Sequence, residues 1–472
     1  MLPTERIQWL GGWGESVGAA GFVFEPSTVD EIRHVVSLAQ ANGATVTPRG
    51  SGCSYGDAAF RAENVVIDLR RMNRILQWDP ESGVIEVEPG VTLRRLWRFV
   101  LGDGWWPPVV TGTMEPTVGG CLAMNVHGKN NWARGTFGEH CTELELMTPD
   151  GVTRTVRRSD DAELFNAVVG SFSMLGIITR ATLQMKPVTS GRLEVKAVAA
   201  PDLETILRLT DEAKDSWEYV VGWVDAFPGG RKLGRGLLHF ARHLEPGEDP
   251  APARSLRAES QDLPEDLFGF VPKSIMWRGL KPFTNRPGMR WINRVKYLSG
   301  ATIGHEAVYQ QSFAEFSFLL DYVPNWKKIY LPGGLIQHQS FVPFDQAEQV
   351  FARQLELGRK NGQPSFLGVL KRHRPDECLM GHGLDGFSLA LDYPVRAHRR
   401  DRLWRQVADM AEPVVDAGGR FYPAKDAAIP REIYQATFAH GEIDTLRAHK
   451  RRLDPECVLR SALADRLLGA FD

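Results

Sequence analysis

The sequence predicts an α+β protein of more than one unit, and three observations carry that reading. Short β-branched runs alternate with amphipathic helices up to Pro187. Beyond it, strands such as Leu193 to Val198 and Tyr219 to Val224 alternate with helices such as Leu203 to Lys214 and Asp345 to Lys360, the texture of a second α+β unit with an antiparallel sheet. The chain has 472 residues, and at ~150 residues per domain that length calls for two or three units.

Each element has its own signal. Thr28 and Glu31 form a capping box, Ile32, Val35, Val36 and Ala39 make one apolar stripe, and Gly43 stops the helix. Ala44 to Thr47 is strand-like and runs into PRGSGCSYGD. Val65 to Leu69 and Val84 to Glu88 are β-branched runs, the second ended by Pro89-Gly90. Thr92 to Val100 is helical, with Leu93, Leu96 and Trp97 on one side. Strands follow at Thr142 to Met147 and Val152 to Val156, joined by a Pro149-Asp150-Gly151 turn. Then come a helix at Ala162 to Val169 and a strand at Gly176 to Met185. Leu244 to Asp266, rich in Pro, Glu and Ser, reads as a mobile surface loop. Phe270 to Leu298 mixes aromatics with Arg and Lys.

Composition excludes several classes. Hydrophobic residues make up 43% and charged residues 24%, so the chain is neither disordered nor fibrous. Lys and Arg number 56 against 58 Asp and Glu, and a net charge of −2 gathers no nucleic acid. Cys53, Cys121, Cys141, Cys378 and Cys457 are odd in number and never in a CxxC pair. They point to a reducing compartment and against a cysteine-built metal site. The N-terminus shows no basic start followed by an apolar run, so the expected location is cytoplasmic.

Chemistry concentrates in two glycine-rich segments. The first holds Arg49, Gly50, Ser51, Gly52, Cys53, Ser54, Tyr55, Gly56 and Asp57, directly after a strand. Small residues there let backbone N–H groups converge on an anion such as a pyrophosphate. It is neither a GxGxxG fingerprint nor a P-loop, and taken alone such a loop is more often a plain surface turn. The second block holds Gly112, Thr113, Thr117, Val118, Gly119, Gly120, Asn125, His127, Gly128 and Lys129. A polar segment of this length needs a ligand or water for its backbone groups. Alone, His127 would more often be structural and Lys129 solvated; with the first loop, they suggest a deep site for a large phosphorylated cofactor.

These two blocks resemble the flavoproteins of the vanillyl-alcohol oxidase type, and within them the decaprenylphosphoryl-β-D-ribose 2′-oxidase family. The resemblance includes HGKN at His127 to Asn130, FGEH at Phe137 to His140 and DAELFNAVVG at Asp161 to Gly170. It continues in LGIITRATLQMKP at Leu175 to Pro187, GGRFYPAKD at Gly418 to Asp426 and RRLDP at Arg451 to Pro455. It implies a PCMH-type, two-subdomain FAD-binding domain over 1–195, a substrate-binding cap over 196–414, and a segment over 415–472 that returns to the FAD domain. FAD would be held by Arg49 to Asp57, Gly112, Thr113, Thr117 to Gly120, Asn125 to Gly128, Ile178 and Tyr422. Many oxidases of the superfamily tether FAD through a histidine in the first loop; Cys53 stands there instead, which implies non-covalent FAD.

On the substrate side, Gln337 and Gln339 share one face of a strand, with His338 on the other. Both glutamines, Lys371 and Tyr55 match substrate-pocket positions of the family. Lys425 matches its essential lysine near the flavin, and a buried lysine with a depressed pKa can deprotonate an alcohol. Ala390 stands where family members often carry a pocket cysteine. The resemblance implies oxidation of a secondary alcohol of a sugar, the 2′-hydroxyl of a polyprenyl-phosphoryl ribose. Hydride would go to the flavin and the proton to Lys425, assisted by His127 or Lys129. An NAD(P)H-dependent reductase partner would complete an epimerisation. A lipid-linked substrate would make Phe270 to Leu298 a membrane-facing flap, with a packed loop as the alternative. The competing functions are another sugar or polyol oxidase, a C=C reductase of the sterol Δ24-reductase type, and a flavin-binding subunit without catalysis.

Overall fold

The computed structural model describes residues 1–267 and 271–469; Phe270, the first residue of the aromatic and basic stretch, lies outside them. Helix Val29–Ala41 forms where the apolar stripe predicts it, and Thr28 Oγ1 accepts from Glu31 N at 3.2 Å. The reciprocal half of the capping box differs. The Glu31 carboxylate takes the amide of Ser27 at 2.6 Å rather than that of Thr28. Strands Ile7–Gly11, Gly18–Phe24, Val65–Asp68 and Val46–Arg49 make a four-stranded sheet in that order, its last two pairings parallel. A five-stranded antiparallel sheet follows, in the order Ile75–Asp79, Val84–Val87, Ile177–Gln184, Cys141–Met147 and Thr153–Arg157. Its hairpin turns on Gly151 at φ +80°, with Asp150 Oδ1 accepting from Val152 N.

The largest sheet has eight strands, antiparallel in every pairing that positions the site. Strand Arg192–Ala200 belongs to it, so the sequence boundary at 195 falls inside that strand, past Pro187. Its inner strands include Tyr219–Val224, Leu367–His373, Gly386–Pro394 and Leu335–Pro343, and Arg420–Phe421 closes one edge. One face is covered by helices Ala347–Lys360 and Arg400–Asp416; there Gln354 reaches His338 and Ser340, both at 3.2 Å. The opposite face carries Gln337, Gln339, Lys371, Ser388 and Asp392, because residues facing across paired strands share a side.

The chain then returns. Leu459 pairs with Val46 of the first sheet, and Arg460 N donates to Val46 O at 2.9 Å. Leu244 to Asp266 is not the free loop its composition suggests. Asp249 accepts from Ser190 and Ser255, and Gln261 Nε2 donates to Gly191 O at 2.9 Å, all of them buried. Buried polar groups of this kind hold a segment because each would be costly to leave unpaired. Among the described residues no helix is long and apolar enough to cross a membrane.

Candidate active site

The two glycine-rich segments meet face to face. A Cβ on Gly50 would lie 2.2 Å from Thr117 Oγ1, and one on Gly119 2.8 Å from Pro89, so neither position admits a side chain without displacement. Thr117 caps the short helix Val118–Ala123 by accepting from Gly120 N at 3.3 Å. Between the segments runs a cleft of about 1090 Å³. Arg49, Gly50, Ser51, Gly52, Cys53, Ser54 and Tyr55 line one side of it. Gly112, Thr113, Thr117, Gly119 and Gly120 line the other, and Ile178, Tyr422 and Lys425 complete the wall. Among the described residues, the amides of Ser51, Gly52, Cys53 and Ser54 have no acceptor within the protein. A half-buried run of unpaired N–H groups opposite a helix of small residues fits the diphosphate of a dinucleotide.

Six residues expected at the cofactor do not line the cleft: His127 lies across Tyr422, and the other five stand behind the wall. Asp57 pairs with Arg466 at 2.8 Å. Gly56 is packed on the Asp426 carbonyl, which an added Cβ would approach to 2.0 Å. Val118 is fully buried in the core. Asn125, at φ +41°, accepts from Gly138 N and donates to Cys378 Sγ, both at 3.2 Å. Gly128 sits against Asn130 and Val110. These residues shape the loops; the cleft itself is faced by neighbours such as Trp13, Phe172 and Leu320, which no sequence motif singled out.

The alcohol-side groups gather across Tyr422. Its ring lies 4.9 Å from that of His127, and its amide donates to Gln339 O at 3.3 Å. Gln339 Nε2 donates to His127 Nε2 at 3.1 Å and to Ser388 Oγ at 3.2 Å. The imidazole therefore carries its proton on Nδ1, facing Lys371 Nζ at 3.5 Å. Burial and then Lys371 push the His127 pKa well below the usual histidine value. Burial, reinforced by Lys425, brings Lys371 down to about 7. A neutral Lys371 can accept from Nδ1–H, so the contact is self-consistent without charge.

Lys425 is half-buried, with its Nζ 3.8 Å from the Tyr55 ring centroid. Burial lowers its pKa to about 8, against the opposing field of Asp392. Asp392 in turn accepts from Gln337 Nε2 and is held above the usual carboxylate range by burial. Lys129 departs from its expected role. Its Nζ is turned onto the carbonyls of Phe316 and Ser317, the latter at 3.2 Å, and over the Phe316 ring at 4.6 Å. It ties the second glycine block to helix Phe313–Ser317 rather than reaching the alcohol-side groups. Ala390 pairs with Gln339 across the sheet and leaves that wall without a thiol. Burial, then Glu115, pushes the Cys53 thiol up to about 12, so it stays protonated and weakly nucleophilic.

His373, His382 and Ser388 complete the set. His373 Nε2 meets Ser388 Oγ at 2.7 Å, and the His382 ring lies 4.4 Å from Tyr422. His373 ends the strand that carries Lys371 and Ser388 lies on the strand paired with it, while no sequence motif singled out His382, in the loop between them.

A glycine-walled cleft beside half-buried lysines and a neutral histidine defines a flavin-dependent oxidoreductase, and comparison with known proteins agrees. Residues 20–157 match the FAD binding domain family. The chain belongs to the decaprenylphosphoryl-β-D-ribose oxidase family of FAD-linked oxidoreductases. It is 31% identical over 470 residues to decaprenylphosphoryl-beta-D-ribose oxidase of Mycolicibacterium smegmatis, covering 98% of this chain and 97% of that one. It is similar over a shorter span to L-gulonolactone oxidase of Mus musculus, 29% identical across 37% of this chain and 40% of that one. A putative D-arabinono-1,4-lactone oxidase of Neurospora crassa is 30% identical across 35% of this chain and 30% of its own length. The protein is an FAD-dependent oxidase.

Proposed function

We propose that the enzyme oxidises a secondary alcohol of a sugar, the 2′-hydroxyl of a polyprenyl-phosphoryl ribose, to the 2′-keto form. The observation that carries the reading is Lys425, a half-buried amine on the wall of the FAD cleft beside Tyr55. The near full-length similarity to a decaprenylphosphoryl-beta-D-ribose oxidase supports the substrate class.

Bound FAD supplies the two-electron acceptor for alcohol oxidation. The chain's own part is orientation and proton handling. Neutral Lys425 takes the hydroxyl proton on Nζ, and Asp392 steadies the ammonium that results. The Oε1 atoms of Gln337 and Gln339 have no partner among the described residues and are free to accept from sugar hydroxyls. His127 stays neutral and fixes the Gln339 amide. Arg49 to Tyr55, Gly112, Thr113, Thr117, Gly119, Gly120, Ile178 and Tyr422 hold FAD without a covalent bond, consistent with a Cys53 thiol that stays protonated. The four- and five-stranded sheets are the two subdomains of a PCMH-type domain, and an NAD(P)H-dependent reductase acts on the keto product.

Anaerobic bleaching of the flavin band tests the assignment. A polyprenyl-phosphoryl ribose should bleach it, and Lys425→Ala should abolish bleaching while FAD stays bound. Bleaching by NADPH alone, or full turnover by the variant, would overturn it.

A further inference from the structure

Beneath Gln339 lies a second layer of buried polar side chains, Ser388 and His373, neither of them on the wall of the FAD cleft. Strand Gly386–Pro394 runs between Leu335–Pro343 and Leu367–His373, and its Ser388 stands opposite Phe341 on one side and Lys371 on the other. Residues two apart on a strand share a face, so Gln339, Ser388 and His373 meet on the side that carries Lys371. His373 Nε2 lies 2.7 Å from Ser388 Oγ, and Ser388 Oγ lies 3.2 Å from Gln339 Nε2.

The protons of this layer can be counted. The Gln339 amide nitrogen has two; one goes to His127 Nε2 at 3.1 Å and the other to Ser388 Oγ. Ser388 has a single hydroxyl proton, and His373 Nε2 is the acceptor beside it. His373 must then be neutral, with its own proton on Nδ1. Burial, then Lys371, His382 and Arg372, hold its pKa well below the usual histidine value. Its Nδ1 is buried with no hydrogen-bond partner among the described residues. An orphan donor in a core is costly, and one that persists calls for a functional reason.

We infer that Ser388 and His373 are positioning residues that fix which end of the Gln339 amide meets the substrate. Both amide protons are held from behind, so Oε1 is the end left for the sugar, and a hydroxyl bound there donates. Without the His373 acceptor, the Ser388 hydroxyl would turn to Gln339. The amide would then reverse, with Oε1 taking the Ser388 proton and the N–H groups facing the sugar. His127 would follow, presenting Nε2–H to the same Oε1, and its Nδ1 would accept from Lys371. The inference rests on the sugar-alcohol reading for what Oε1 meets, but the direction of the amide is readable without substrate.

Nitrogen-15 NMR of the FAD-loaded protein with labelled histidine decides it, the two signals being assigned by their loss in His127→Gln and His373→Gln. In the wild type both imidazoles should be neutral with the proton on Nδ1. In His373→Phe the His127 proton should move to Nε2, and in His373→Gln, which keeps an acceptor for Ser388, it should return to Nδ1. A wild-type His373 with its proton on Nε2 would overturn the inference even if no variant folds. So would a His127 tautomer that is the same in His373→Phe and wild type. Flavin bleaching by a polyprenyl-phosphoryl ribose supplies the second readout. His373→Phe should raise KM up to about tenfold, the worth of one hydrogen bond, and lower kcat by less, while His373→Gln should recover most of the loss. A KM in His373→Phe equal to that of the wild type would also overturn it. Should this sugar fail to bleach the wild type while the tautomers behave as stated, the substrate reading falls and the positioning role stands.

Discussion

Lys425 is where a single side chain decides the chemistry. Its amine is half-buried with an aromatic ring 3.8 Å away, and desolvation brings the pKa down to about 8. A general base works as the neutral amine, so the reactive fraction grows as pH rises through that value. Below it, kcat/KM should climb ~tenfold per pH unit, and above it the profile should level. Lys425→Arg keeps the charge but cannot lose the proton, so its profile should be flat and near zero. Stopped-flow bleaching across pH checks both, and a wild-type profile without the rising limb would remove Lys425 as base. The lysine was legible in the sequence because RFYPAKD is a contiguous segment. Its counter-charge was not: Asp392 comes from a strand paired with Leu335–Pro343, and strand register brings it beside Gln337. Lys129 shows the converse error, since a lysine next to His127 in sequence points the other way, onto Phe316 and Ser317.

At the scale of elements, the cleft exists because two loops lack side chains where they touch. The glycine blocks announced themselves because each is local, and the helix stripes and β-branched runs were equally plain for the same reason. Residues 244–266 misled because their anchors, Ser190, Gly191 and Ala314, are distant in the chain. The same contrast separates cleft-lining Gly50 from Gly56, which faces the Asp426 loop. Gly50→Ala would force its new methyl to 2.2 Å from Thr117 Oγ1. The clash pushes the capping threonine off Gly120 N and spreads the cleft, so the purified variant should carry much less FAD at unchanged fold. Adding Thr117→Ala removes the obstructing hydroxyl at a cost of ~1 kcal/mol for the lost cap. Flavin content of the double variant should recover part of the loss, and no difference between single and double variants would put the defect elsewhere.

Across the whole molecule, the site depends on the last helix among the described residues. Arg466, in Ala462–Leu467, binds Asp57 at the end of the first glycine loop at 2.8 Å and Asp426 beside Lys425 at 2.7 Å. The same guanidinium donates to Ile429 O at 2.9 Å, while Tyr55 N donates to Ala424 O at 2.8 Å. One arginine thus fastens the cofactor loop to the loop of the catalytic lysine, although its partners are some 400 and 40 residues away in the sequence (separations of 409 and 40). No local pattern marks it, which is why the sequence located the two loops and missed what joins them. Arg466→Ala leaves two largely buried carboxylates facing each other, a change worth about 3 kcal/mol, kept to the low end because the pair retains some solvent contact. The melting temperature should fall, and retention of FAD should fall with it, since both loops lose the same tether. Arg466→Ala/Asp57→Asn should recover part of the stability, because the coupling between contacting charges is not additive. Thermal melts and flavin release on dilution, taken across the three proteins, measure that coupling. Strictly additive losses would mean that the C-terminal helix packs against the site without holding it.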